Sequence, residues 1–304
     1  MAEQPTAPTT DGDSLPGFLF ALGAYLLWGF LPLYMKALAH IPATEVIAHR
    51  VLWSVPIAGL VLIATRRTAD LRRALATPRM IAMAAITAGI ISLNWGIYVW
   101  AIGAGHALDA ALGYYINPIF SIFLGAVLLR ERLMRAQWMA IALAVLAVVI
   151  LTVEAGRLPL ISLALTLSWG GYAFFKKMLP IGPNQGFMLE VLLLTPLALG
   201  YVLWLGHEGT GHFLAGSAFD TWMLLGCGAV TAIPLILYAN GAKRLTLSTI
   251  AIMQYIAPTM IFLAAVFVFG EEFDRIRAIT FALIWAALVM YTAALLSRGR
   301  RSAA

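Results

Sequence analysis

Between Met80 and Leu129 the sequence stays apolar for 50 residues. As a single helix that run would be about 75 Å long, more than twice the roughly 30 Å hydrocarbon core of a bilayer. It must turn back on itself, and "GAGHALDA" at 103–110 supplies the glycines and polar groups for the turn. The same reading finds ten apolar runs of about 20 residues, centred near Leu27, Val55, Ile91, Phe120, Leu146, Trp169, Val191, Gly228, Thr259 and Trp285. Ten such spans leave only about 100 of the 304 residues for tails and connections, too few for a separate soluble domain. The pattern predicts an all-α membrane protein with ten transmembrane helices.

Composition agrees: 62% of residues are hydrophobic and 11% charged, far from the make-up of water-soluble domains. The formal charge of +6 does not point to nucleic acid, because the Lys and Arg residues sit in short gaps between apolar runs rather than along a basic groove. A single cysteine, Cys227, excludes a disulfide framework. The opening residues, 1–16, carry Asp11 and Asp13 without a basic start or a cleavage site, and read as a disordered cytoplasmic tail.

The basic residues orient the chain. With the amino terminus inside, fifteen Lys and Arg fall in inner loops and the tail, against Lys36, Arg157, Arg275 and Arg277 outside and Arg50 within the membrane. By the positive-inside rule both termini are then cytoplasmic, with a basic tail at 298–304.

The halves repeat. "LLWGFLPLYMK" at 26–36 resembles "LSWGGYAFFKK" at 167–177, and at a shift of 140 Tyr98, Tyr115, Pro118 and Glu131 meet Tyr238, Tyr255, Pro258 and Glu271. Five spans is an odd number, so the second copy (158–297) enters the membrane from the side opposite to the first (17–153). Inverted repeats of this kind are characteristic of secondary transporters, whose halves exchange conformations.

"YLLWGFLPLYMKAL", "EVIAHRVLWS", "NWGIYVWAIGAGHALDAALGYYINP" and "RERLMRAQWMA" together resemble the RarD subfamily of the EamA-type drug/metabolite transporters over about residues 17–297. The resemblance implies ten helices in two inverted five-helix repeats, a bacterial inner-membrane location and transport of small metabolites or drugs. The second copy departs from the first: "GFMLEVLLLTP" keeps only Glu190 of the cluster Glu45, His49 and Arg50.

That cluster is where chemistry is expected. On a helix Glu45 and His49 stack at i,i+4 above Trp53, with Arg50 about 12 Å deep. A charge facing lipid there would cost about 2–3 kcal/mol. Either Arg50 snorkels outward, or it faces a wet cavity, paired to Glu45 or holding an anionic group of the cargo. Glu45 and His49 are candidates for proton coupling. Pro118 and Pro258, near the midplane, are expected helix breaks, since proline removes an amide donor. Asn117, Tyr115 and Tyr255 on the same turns, together with Trp28, Asn94 and Tyr98, are candidate substrate contacts. Lys36 and Lys177, at matching helix ends, are candidate gates. Glu131 and Glu271 read as helix-end residues pairing with Arg132 or Arg275.

"HEGTGH" at 207–212 lacks the i,i+4 histidine pair of a helical zinc motif, and no phosphate loop or nucleophile elbow occurs, so no metal or cofactor is expected. The resulting reading is a secondary transporter of small, amino-acid-like or amphipathic compounds that works by alternating access and is driven by protons. Its partners are a small molecule and the lipid bilayer, not nucleic acid. An uncoupled facilitator is the nearest alternative; an intramembrane enzyme using Glu45 and His49, or a scaffold, is more remote.

Overall fold

The computed structural model describes residues 14–128, 135–156, 158–242, 244–245 and 247–302. Among these the chain is helical throughout its ordered elements: α1 (Leu15–Ala37), α2 (Ala43–Ala64), α3 (Thr68–Leu75), α4 (Pro78–Gly103), α5 (Ala107–Leu128), α6 (Arg135–Ala155), α7 (Leu160–Met178), α8 (Pro183–Glu208), α9 (Ala218–Ala242), α10 (Leu247–Met253), α11 (Ile256–Leu263), a π-helical turn (Ala264–Val268) and α12 (Arg275–Ser302). Seven of the described helices are long and apolar enough to cross a membrane. Apolar side chains such as Leu60, Leu93, Leu197 and Val289 are more than 60% exposed on the outside of the bundle, as a surface solvated by acyl chains requires.

Helix ends follow the local chemistry. The Ser14 hydroxyl accepts from the Gly17 amide at 3.2 Å and starts α1. Prolines open α4 and α8, where the missing N–H costs nothing. Gly209, at φ +67°, ends α8 in the left-handed conformation. The charged connection at 66–79 contains the short helix α3.

The packing repeats between the halves. α1 packs on α9 as α7 does on α4; α2 packs on α9 as α8 does on α4; α1 meets α11 as α7 meets α5. The other close pairs are α2 with α8, α5 with α11 and α6 with α12. Small residues bring these backbones together. A Cβ built at Gly228 would lie 2.2 Å from the Trp53 carbonyl carbon and oxygen, so only glycine lets α9 approach α2 this closely.

One expected break is absent and one is present. Pro118 lies inside an uninterrupted α5, whereas the chain does leave the helix at Gln254 and Tyr255, between α10 and α11, just before Pro258. Proline removes one donor and strains the preceding turn, but a surrounding bundle can hold the helix continuous across it.

Candidate functional site

Two buried clusters, one around Ile102, Leu108, Leu165 and Leu224 and another around Val51, Leu62, Val191 and Ala232, leave a cavity of about 590 Å³ between them. Its walls come from α1, α2, α4, α5, α7, α8, α9, α11 and Gln254 at the α10–α11 break. At one extremity the lining residues Ser121 and Pro183 are exposed; at the other, Arg50, Asn94, Tyr98 and Asn117 are buried. The cavity is therefore a pocket open toward the amino-terminal end of α8 and blind near the middle of α2.

Arg50 forms the floor. Its Nε donates to Thr231 Oγ1 at 3.0 Å, its guanidinium lies 4.7 Å from the Trp95 ring centre, and Nη1 has no partner among the described residues. Thr231 passes its own proton to the Cys227 carbonyl at 2.7 Å, leaving a lone pair for Arg50. Asn94 is fully used: it donates to the Leu165 carbonyl and the Ser168 hydroxyl and accepts from Tyr114. Asn117 Oδ1 and the Tyr98 hydroxyl are buried without partners among the described residues. Trp28 lies on the α1 wall among Tyr25 and Tyr238, with ring centres 5.6–5.9 Å apart. On the other side Tyr98, Tyr114, Trp169 and Tyr172 form a second run of rings.

Sequence reasoning missed the charged group nearest the mouth. Lys176, whose side chain is 20% exposed, lines the cavity and donates to Glu190 Oε1 at 2.7 Å; that buried carboxylate also accepts from Thr87 at 2.7 Å and from Tyr172 at 3.3 Å. The candidate gate Lys177 has its side chain outside the described residues.

Several expectations need correction. Glu45 does not pair with Arg50. It turns to the connection between α8 and α9, where its two oxygens accept from the His212 amide at 2.7 Å and the His212 imidazole at 2.8 Å. His49 accepts from the Trp53 indole at 3.0 Å and packs on Phe213, at 4.8 Å between ring centres. Neither side chain lines the cavity. The physical reason is direction: one turn separates Glu45 from His49, and both stand beneath residues 209–217, while Arg50 is rotated about 100° toward the interior. Tyr115 also points elsewhere, bonding Thr259 at 2.6 Å and packing on Phe281 and Trp285; Tyr255 packs against that same cluster. Glu271 does not pair with Arg275: its carboxylate accepts the amides of Ala107 and Leu108 at 2.6 and 2.9 Å, capping α5. Glu131 lies outside the described residues.

These ties all belong to the blind end. There Lys36 donates to the carbonyls of Ile102 and Gly103 at 3.4–3.5 Å, His40 meets Asp220 at 2.9 Å, and the Tyr34 hydroxyl donates to the Met223 carbonyl.

A bundle of apolar helices enclosing a polar-floored pocket, sealed at one end and open at the other, is the architecture of a membrane transporter. The comparisons give the family. The sequence profile of the EamA-like transporter family matches residues 15–153. Protein RarD of Streptomyces exfoliatus is 42% identical over 294 residues, 97% of this chain and 93% of the relative. An uncharacterized transporter of Vibrio cholerae is 41% identical over 284 residues, 92% and 93% of the two chains, and Protein RarD of Escherichia coli 37% over 275 residues, 90% and 93%. A solved crystal structure shares the fold at a TM-score of 0.58 and 20% identity, covering 93% of this chain and 97% of the other. The chain belongs to the RarD group of the EamA-like transporter family, as a multi-pass protein of the bacterial inner membrane.

Proposed function

We propose that the protein is a secondary transporter that moves small metabolites or drugs by alternating access, and that the 590 Å³ cavity is its cargo site in the inward-open state. The observation that carries this reading is the gradient of exposure along the cavity, from Ser121 and Pro183 at the mouth to Arg50 and Asn117 at the floor. In this reading ten spans form two inverted five-helix repeats, 17–153 and 158–297. The exchange of packing partners between the halves supports that arrangement, because it gives the bundle two equivalent ways to close. Both termini are cytoplasmic, so the mouth faces the cytoplasm.

Arg50, Asn117, Tyr98 and Trp28 hold the cargo, and Asn94 braces α4 against α7 behind them. Lys36 belongs to the outer seal. A coupling proton acts at that seal too: protonating Glu45 weakens it as an acceptor for both His212 bonds, and protonating His49 displaces the Trp53 indole. Chemistry on the cargo forms no part of the cycle.

Cysteine accessibility tests the state. In a Cys227→Ala background, Ser121→Cys is expected to react with a membrane-impermeant maleimide in inside-out vesicles and Ala104→Cys in right-side-out vesicles. Reaction of both from one face, or of Ser121→Cys from neither, overturns the reading. Flux in proteoliposomes that ignores an imposed pH gradient would leave a facilitator.

A further inference from the structure

The charge balance inside the cavity narrows the cargo, given that the cavity is the transport site proposed above. Among the described residues two cationic side chains line it, Arg50 and Lys176, and no Asp or Glu does. Lys176 is already neutralised by Glu190 at 2.7 Å. Arg50 is 3% exposed and lies within ion-pair distance of no carboxylate among the described residues. The glutamate five residues earlier on its own helix, Glu45, is 1% exposed and taken up by His212. A guanidinium in a low-dielectric interior without a counter-ion is unfavourable, and a bound anion removes the imbalance.

The guanidinium is also held in place: Thr231 binds Nε and Trp95 packs on its face, so its plane is set before anything binds, and Nη1 is left without a hydrogen-bond partner among the described residues. Two further lining residues, Tyr98 and Asn117, carry a buried hydroxyl and amide oxygen without partners among the described residues; Asn117 Oδ1 is an acceptor that suits a neutral N–H or O–H. Aromatic rings from α1, α4, α5, α7 and α9 supply much of the remaining wall, beside aliphatic Leu31, Leu235, Ile236 and Ile261 and polar Ser121, Asn184 and Gln254, and their faces suit a flat apolar body.

We propose that the cavity selects small organic carboxylates: monoanions on a flat, apolar, aromatic-sized body, with the carboxylate on Arg50 and the ring between the aromatic walls of α1 with α9 and of α5 with α7. Free amines are selected against. An ammonium group finds no carboxylate among the described lining residues, and its charge adds to that of Arg50. Zwitterions rank between the two.

Ligand binding to the purified full-length protein in nanodiscs, read by calorimetry and thermal shift, separates these classes with matched probes. Indole-3-propionate, tryptophan, indole-3-propanol and tryptamine share one ring and differ in charge; 3-phenylpropionate and 3-phenylpropylamine repeat the contrast on a smaller ring. The expected order is carboxylate, then zwitterion or neutral alcohol, then amine, with carboxylate over amine by at least about tenfold. Arg50→Gln is expected to erase that preference while tryptamine binding stays the same or improves. The ranking on the unmodified protein needs no variant to fold. Amines binding as tightly as carboxylates, no binding by any probe up to about 10 mM, or an unchanged preference in a folded Arg50→Gln protein each overturn the proposal. The Ser121→Cys and Ala104→Cys labelling reports separately on the transport reading, so a lost preference with intact sidedness removes only the cargo class.

Discussion

The two ends of the bundle use the same kind of group to opposite effect. Near the blind end α2 carries Glu45, and near the open end α8 carries Glu190; both are 1% exposed, and the two helices pack on one another. Glu45 is bound to a connecting loop, so its carboxylate fastens residues 209–217 across the end of the bundle. Glu190 is bound to helix side chains only, Thr87, Tyr172 and Lys176, so it neutralises a cavity cation and leaves the mouth free. A buried carboxylate does not by itself define a coupling site or a gate. What it does depends on whether its donors come from a loop that can lift or from helices that cannot.

Four substitutions break or sharpen this contrast, in falling order of effect. Glu190→Gln leaves Lys176 uncompensated in a buried site, and we expect a loss of about 3 kcal/mol in thermal or denaturant stability, the range for breaking a buried pair. The freed Lys176 should at the same time raise the affinity for carboxylate probes, measurable in the same preparation. Glu45→Gln removes the charge from two bonds to His212 and should lower stability by about 2 kcal/mol. It should also let an impermeant maleimide reach Phe213→Cys faster from the outer face. Glu271→Ala uncaps α5 and should cost about 1–2 kcal/mol, visible as faster amide exchange at Ala107 and Leu108. Tyr34→Phe deletes one hydroxyl bond to the Met223 carbonyl and should cost about 1 kcal/mol, with ligand binding unchanged. If Glu190→Gln opened the outer face, or Glu45→Gln altered carboxylate affinity, the division of labour between the ends would be wrong.

Much of the fold could be read from hydropathy, because lipid forces every backbone amide into a helix and each helix must then be long and apolar. Arg50 was legible for the same reason: its depth is visible in the numbering alone. The internal repeat pointed to more than was taken from it. Trp28 maps onto Trp169 at a shift of 141 and Tyr98 onto Tyr238 at 140, and both counterparts line the cavity. Trp169, Tyr172 and Lys176 also share one helical face at i, i+3 and i+7. The partners of Glu45, Glu190 and Glu271 were not legible. Each joins groups that lie far apart in sequence or on separate helices, and spacing along one helix carries no trace of such a bond. Tyr115 and Tyr255 misled for a related reason: the proline pattern located their turns but could not say which side of the helix met the cavity.

The Glu271 cap has a consequence for biosynthesis. The amides it satisfies lie 164 and 163 residues earlier in the chain. At roughly 5–20 residues per second of synthesis, α5 emerges some 8–33 s before its cap is made. Through that interval the first turn of α5 has two amides without their final acceptor, and α1 and α2 lack α9. The amino-terminal half therefore cannot mature as a finished unit while the ribosome is still at work; its assembly is completed only when the last helices are threaded into place.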